Sequence, residues 1–447
     1  MKAGWKTVKL GEIAEIYNGN TVSDENKKRL IALPNAGLAF IATKDVGFDG
    51  VINYDNGINI PGVEAADFKV ARKDAVLVCA EGGSAGRKIG HIDRDVHFGN
   101  KLFALNASST VLPRYLYHYC LSEDFRKKFK GLMAGLIGGV SVAKFKQIEI
   151  PLPPLTEQKR IVALLDEAFA GIEEVKAKAE ANAADSAKMF ESLLDALIQG
   201  KLSSTKSTGK TAAEYIQEIG EARKLAVTQG KAKLAKSEPN NNSSPFELPR
   251  DWKWAQLESL TICISDGVHK KPNYVPEGIP FVTVKNMTAG PGISFDDLNY
   301  ITREDHEEYI KRTHPEAGDI LITKDGTIGV VRMIETDVEF SIFVSVALIK
   351  PVTKRLAPYL TYALSAPCVQ KQIIPQGAAL KHLYLVDLRR LAIPIPPPSE
   401  QDKIVAELDL LSEQTHHLRK VYEKKATLID DLRKSILYQA FSGELTA

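Results

Sequence analysis

IEIPLPPLTEQKRIVALLD, beginning at Ile148, and LAIPIPPPSEQDKIVAELD, beginning at Leu391, are two versions of one segment within a single 447-residue chain. Glu157-Gln158 lies 243 residues before Glu400-Gln401, and the same offset relates LIQGKL at Leu197 to AFSGEL at Ala440. Fainter echoes precede both copies. WKTVKLGEIAEI at Trp5 resembles WKWAQLESLTIC at Trp252, FIATKDV at Phe40 resembles FVTVKNM at Phe281, and DAVLVCAEGG at Asp74 resembles DILITKDGTIG at Asp319. The chain therefore reads A–B–A′–B′, a duplication of large units rather than a solenoid of short repeats.

Each B segment opens with prolines, which precede helices more readily than they continue them. Thr156 and Ser399 are placed to cap the helices that follow. Apolar residues then recur at alternating spacings of four and three. The first stripe uses Ile161, Leu165, Ile172, Val175, Met189 and Leu193. The second uses Ile404, Leu408, Leu411, Leu418, Tyr422, Ile429, Leu432 and Ile436, in the same heptad phase. Asn182 and Lys425 fall in these stripes and would loosen the seam or fix its register. Each helix should run about 40 residues, about 60 Å. A single apolar stripe of that length needs a partner, and the matched lengths make B and B′ partners for each other. Gly200 and Gly443 stand where a C-terminal glycine stop belongs. Between B and A′, a short helix is expected over 212–235, followed by the linker PNNNSSP (239–245).

A and A′ read as mixed α/β. Runs such as AVLVC, IPFVTV and DILIT, bounded by Gly, Asp and Pro, suit strands, and helices are expected around 113–132 and 357–374. Glycine-rich loops follow strands at Glu81–Lys88 and Lys324–Gly329. Glycine allows close backbone approach, and adjacent cations suit a phosphate or a base edge, although a plain turn would look alike. In A the candidate nucleic-acid contacts are Lys44, Gly83, Ser84, Arg87, Lys88, Lys101 and Lys144. In A′ they are His269, Lys270, Lys271, Tyr274, Lys285, Asn286, Lys324, Gly326, Thr327 and Lys381.

Composition narrows the class. The net charge is +2, but it is unevenly spread: residues 1–155 carry +5, whereas 156–202 and 399–447 carry −3 and −2. Acidic helices are poor candidates for lying on phosphates. No apolar run reaches the roughly 18 residues of a membrane span, and the N-terminus lacks a signal-peptide core, so the expected location is the cytoplasm. Four scattered cysteines suggest neither a disulfide framework nor a zinc pair. Gly209-Lys210-Thr211 resembles the end of a P-loop, but Ser204 replaces the earlier glycine. His416 and His417 are adjacent, not spaced to share a metal. An Asn/Asp-Pro-Pro-aromatic methyltransferase motif is absent, so no catalytic residue and no metal site is assigned.

IPLPPLTEQKRIVALLD, IPIPPPSEQDKIVAELD, FELPRDWKWAQL, SDGVHKKPNYVPEGIPFVTVKNM and AFSGELTA, in this order and spacing, resemble the specificity subunits of type I restriction–modification systems. The resemblance covers essentially the whole chain, least closely in A, where Asn18-Gly19-Asn20-Thr21 offers no clear match to Asp266-Gly267-Val268-His269. It implies an α+β fold: target-recognition domains at 1–155 and 246–398, spacer helices at 156–202 and 399–447 forming an antiparallel coiled coil, and a linker at 203–245. It further implies a non-catalytic chain that reads a bipartite, asymmetric site in double-stranded DNA. Two modification subunits would dock on it, and two restriction subunits could join. S-adenosylmethionine, ATP and Mg would be bound by those partners and no cofactor by this chain. A coiled-coil adaptor binding proteins through A and A′ is the alternative; only DNA reading predicts steeply salt-dependent DNA affinity.

Overall fold

The computed structural model describes residues 4–23, 25, 37–62, 65–133, 138–203, 209–230, 232, 244–377 and 381–446. The chain forms two compact units, Met1–Ala181 with Val421–Ala447, and Asn182–Lys420. Among the described residues no helix is long and apolar enough to cross a membrane.

The first unit contains β1 (Lys6–Lys9), β2 (Ala14–Asn18), β3 (Leu38–Ile41), β4 (Asn59–Ile60), β5 (Val70–Ala71), β6 (Val76–Cys79), β7 (Ile89–His91), β8 (Val96–Phe98), β9 (Leu102–Ala107) and β10 (Glu149–Leu152). Its main sheet has the order β2-β9-β6-β7, a second sheet has the order β4-β3-β8-β5, and β1 pairs with β10. Strand β6, Val-Leu-Val-Cys, is buried on both faces. Alternation sends Val76 and Val78 into a core shared with helices, and Leu77 and Cys79 into a core shared with the second sheet.

The second unit repeats the plan with β11 (Lys253–Gln256), β12 (Thr261–Asp266), β13 (Ile279–Val282), β14 (Asn299–Ile301), β15 (Ile320–Thr323), β16 (Val331–Met333), β17 (Ser341–Ile342), β18 (Val346–Pro351) and β19 (Ala392–Ile395). The orders are β12-β18-β15-β16, β14-β13-β17 and β11-β19. In each unit one pair is parallel, β3 with β8 and β13 with β17. The duplication thus extends to pairings where the sequences barely agree. Gly19 and Gly267 mark the equivalence: a Cβ there would lie 2.0 Å from the Phe98 carbonyl oxygen and 1.9 Å from that of Ile342. Only glycine admits that approach, and the next residue donates to the same oxygen, Asn20 at 2.9 Å and Val268 at 3.1 Å. Asn18 in the first unit therefore occupies the place of Asp266 in the second.

The long helices are Leu155–Ile198 and Pro398–Ser442, of 44 and 45 residues. They begin just before the expected caps, which leaves Thr156 and Ser399 inside the first turn. The joint is made instead by the repeated glutamine. Gln158 is fully buried, accepts from the Leu112 N–H (2.8 Å) and donates to the Pro153 and Thr110 carbonyls (2.9 and 3.1 Å). Gln401 donates to the Pro396 carbonyl (2.9 Å), and Glu400 accepts from the indole of Trp252 (2.9 Å). Both helices stop at glycines with positive φ, Gly200 at 70° and Gly443 at 87°, where the following N–H closes back on the helix.

Within the first unit the helices run antiparallel: Thr446 bonds Glu157, Phe441 packs on Tyr115 and Tyr119, and Arg433 reaches Phe169 and Glu173. Within the second, Leu194, Leu197 and Ile198 share a core with Ile404 and Leu408. The phase of the stripe differs from the heptad expectation. Ile161, Leu165, Ile172, Ile404 and Leu408 are buried as expected, and Leu193, Leu411, Tyr422, Ile429 and Ile436 are half-buried. Val175, Met189, Leu418 and Leu432 are instead exposed at 53, 56, 38 and 50 %. The inward positions on the first helix run 161, 165, 169, 172, 176, 179, 183, 186, 190, 194 and 197. Ten steps cover 36 residues, the α-helical period of 3.6 rather than the heptad 3.5. The second helix takes the same span from Ile404 to Ala440. Asn182 and Lys425 consequently leave the stripe and are exposed, while Ala183 and Ala426 turn inward.

The linker helix is Ala212–Thr228, shorter than expected, and most of PNNNSSP lies outside the described residues. Thr211 caps it reciprocally with Glu214, so the Gly-Lys-Thr run is a helix start. Tyr215 and Ile219 bury against the second unit.

Candidate nucleic-acid interface

In each unit the same loops converge at one end of the main sheet. In the first, the Ala80 N–H donates to the Lys101 carbonyl (2.8 Å), and the Val140 N–H donates to the Ala80 carbonyl (3.1 Å). In the second, the Lys324 N–H donates to Ser345 (2.7 Å) and the Leu383 N–H to Lys324 (2.9 Å). Two framework bonds thus tie the loop after β6 or β15 to the turn before β9 or β18 and to a later loop.

The first unit's loops carry a cation–aromatic platform. Phe48 is 62 % exposed, and the Arg87 guanidinium and Lys88 ammonium each lie 5.1 Å from its ring centre. Lys88 also donates to the Thr43 carbonyl (3.1 Å), beside exposed Lys44. Gly83 is exposed and Ser84 half-buried in the same loop; Lys101 pairs with Glu81 (3.1 Å). Lys44, Gly83, Ser84, Arg87, Lys88 and Lys101 are thereby brought together. Lys144 is exposed on the short turn after the 138–140 loop. Phe48 escaped the sequence reading; the signal was an aromatic set in a Gly/Asp turn.

The second unit's loops surround a buried carboxylate. Asp266 is 4 % exposed and accepts from Lys324 Nζ (2.7 Å) and Arg312 Nη2 (2.5 Å), with His269 Nε2 at 3.4 Å. Burial opposes its charge, but the Lys324 hydrogen bond and the Lys324 and Arg312 charges outweigh burial and hold the carboxyl below its ordinary range. Lys270, Lys271, Gly326, Thr327 and Lys381 are exposed around it. Lys271 lies 5.8 Å from the ring of half-exposed Tyr274. His382 binds Asp325 (2.5 Å), which ties the 381–384 segment to the glycine loop.

Two expected contacts have other employment. Lys324 is 8 % exposed, because its ammonium neutralises Asp266. Asn286 is buried at 3 %, and its amide oxygen caps its own helix by accepting from the Thr283 N–H (2.9 Å). Neighbouring Lys285 is exposed and pairs with Asp297. Arg312, which lies 46 residues beyond Asp266, was missed because nothing local in TREDHEEYIKRT signals that pairing.

One scaffold used twice, with basic loops of unlike chemistry at the same end of each copy, defines a two-domain nucleic-acid-reading protein. The chain belongs to the family described as the type I restriction modification DNA specificity domain, which matches residues 2–183 and 249–426. It is 25% identical to the type I restriction enzyme EcoBI specificity subunit of Escherichia coli over 99% of this chain and 86% of that protein. It is 24% identical to the EcoKI specificity subunit of Escherichia coli K12 over 85% of this chain and 76% of that one. A chain from a structure on complex assembly and conformational transition of the type I restriction–modification system has a TM-score of 0.69 at 19% identity, covering 100% of this chain and 99% of the other. The HsdS subunit of Thermoanaerobacter tengcongensis gives 0.54 at 20% identity, with 100% and 98% coverage. The function is sequence-specific DNA recognition in a type I restriction–modification system; an adaptor role is not favoured.

Proposed function

We propose that this chain is the non-catalytic, cytoplasmic reader of its complex, each globular domain gripping one half of a bipartite, asymmetric DNA site. The helix pair sets the length of the unread spacer and docks two modification subunits. Those subunits bind S-adenosylmethionine and methylate adenine; two restriction subunits, where the system has them, bring ATP, Mg and cleavage. The observation that supports this reading is the pairing of one framework with unlike rims. A Phe48 platform flanked by cations and a carboxylate-braced guanidinium present different shapes and donors to a base pair. The acidic helices suit protein docking better than phosphate contact.

Exchanging the first domain for that of a relative, and mapping methyladenine in cells that also carry the modification subunit, tests it. One half of the recognised sequence should change and the other should persist. A change in both halves would show that the domains are not independent readers.

A further inference from the structure

Arg312 is an exposed cation of the second unit's loops whose position is set by a buried carboxylate. Its Nη2 donates to Oδ1 of Asp266 (2.5 Å) and lies 3.2 Å from His269 Nε2. The other carboxylate oxygen is taken by Lys324 (2.7 Å), and the Asp266 carbonyl accepts from Thr313 (2.7 Å). The carboxylate is thus held by a cation on each oxygen, and its backbone is anchored by Thr313. The partners differ in exposure: the Asp266 side chain is 6 % exposed and that of Lys324 10 %, but that of Arg312 is 56 %. One buried negative charge faces two cations, and the surplus positive charge resides on the exposed guanidinium. Nε and Nη1 make no hydrogen bond among the described residues, so the guanidinium is anchored at one nitrogen and its other donors are turned to solvent.

A braced guanidinium has fewer rotamers to give up when a ligand arrives, and its planar fork matches the N7 and O6 acceptors of guanine in the major groove. A backbone phosphate would be served as well by a mobile lysine, and Lys270, Lys271 and Lys381 are exposed nearby. We propose that Arg312 is a specificity-determining residue that reads a guanine in the half-site of the second domain, and that Asp266 is its positioning residue. Asn18 holds the equivalent place in the first unit and offers no negative charge, so the device belongs to one half-site only. The inference rests on the proposed function above.

The test is methyladenine mapping in cells carrying the full chain with its modification partner, for the parent, Arg312→Gln, Arg312→Lys and Asp266→Asn. The parent site should contain a guanine in the half assigned to the second domain by domain exchange. Arg312→Gln should lower discrimination at that one position by about ten- to a hundredfold and leave the other half unchanged. Arg312→Lys should fail in the same way, because charge is kept but the fork is lost. Asp266→Asn should relax the same position, and the double variant should add nothing further. Retention of the remaining bases of the second half-site shows that the mutated domain is folded. An unaltered motif with uniformly weaker methylation, or full rescue by lysine, would mark a backbone contact and overturn the proposal. A second-domain half-site without guanine would also overturn it. If domain exchange left both halves unchanged, the two-reader reading itself would fail, a different result from an altered half-site that ignores Arg312.

Discussion

Removing the Lys324 ammonium strands the Asp266 carboxylate in a buried site with one cation fewer. Breaking such a pair costs about 3–5 kcal/mol, and the low end applies because Arg312 remains. Lys324→Ala should therefore lower the urea stability of the chain by about 3 kcal/mol, whereas exposed Lys270→Ala should change it by less than about 0.5. A loss of DNA affinity in the first variant alone would report on folding, not on contact. His118 makes a second residue-scale case. It is 1 % exposed, with Nε2 2.7 Å from Asp166 and Nδ1 unpartnered among the described residues. Burial drives its pKa down to about 4, against the opposing pull of Asp166. The unfolded chain, with an ordinary value of about 6.5, takes up the proton first. Stability is thus complete above about pH 6.5 and falls as the pH drops toward 4. Between pH 8 and pH 5 the parent should lose about 2 kcal/mol more than His118→Gln in urea unfolding. His91, His97 and His306 are also shifted down by burial, but they are present in both proteins and cancel. The Asp166 carboxyl is lowered despite burial, and its contribution is lost only below about pH 4.

At the scale of elements, the two long helices were legible because their markers are local: proline runs at the start, glycine at the stop, a stripe between. The phase was not. Heptad and α-helical periods part by one residue over ten steps, and apolar Val175, Met189, Leu418 and Leu432 occupy the heptad positions and so disguise the drift. Substituting alanine for any of these four should shift the unfolding free energy by less than about 0.5 kcal/mol. Leu165→Ala or Leu408→Ala should cost about 2–5 kcal/mol, measured the same way. Equal losses in both sets would restore the heptad seam. The strands of the two domains were legible as apolar runs, and faint echoes such as FIATKDV and FVTVKNM pointed to their equivalence, but the crossing beside Asn18 and Asp266 was hidden. Asn18 and Asp266 share no chemistry, and only the glycines beside them betray the common crossing. The first domain's basic loop was legible from its own cations, whereas the Asp266–Arg312 pair joins residues that only the fold brings together.

For the whole molecule, the spacer role makes a metric prediction. Deleting residues 176–182 and 419–425 removes about 10 Å of each helix and turns the faces by only about 20°, so the pair can close again. The methylated motif should keep both halves and lose about three base pairs between them, at about 3.4 Å each. An unchanged spacing would sink the ruler role while leaving the two readers intact.

The first compact unit is discontinuous: residues 1–181 are completed by 421–447, and Phe441 sits on Tyr115 and Tyr119. On the ribosome, the segment 1–181 must therefore wait for residues 421–447 to be made. At about 5–20 residues per second the delay is roughly 10 to 50 seconds, with an aromatic cleft open to water throughout. A stop codon before residue 421 would thus cripple the domain translated first.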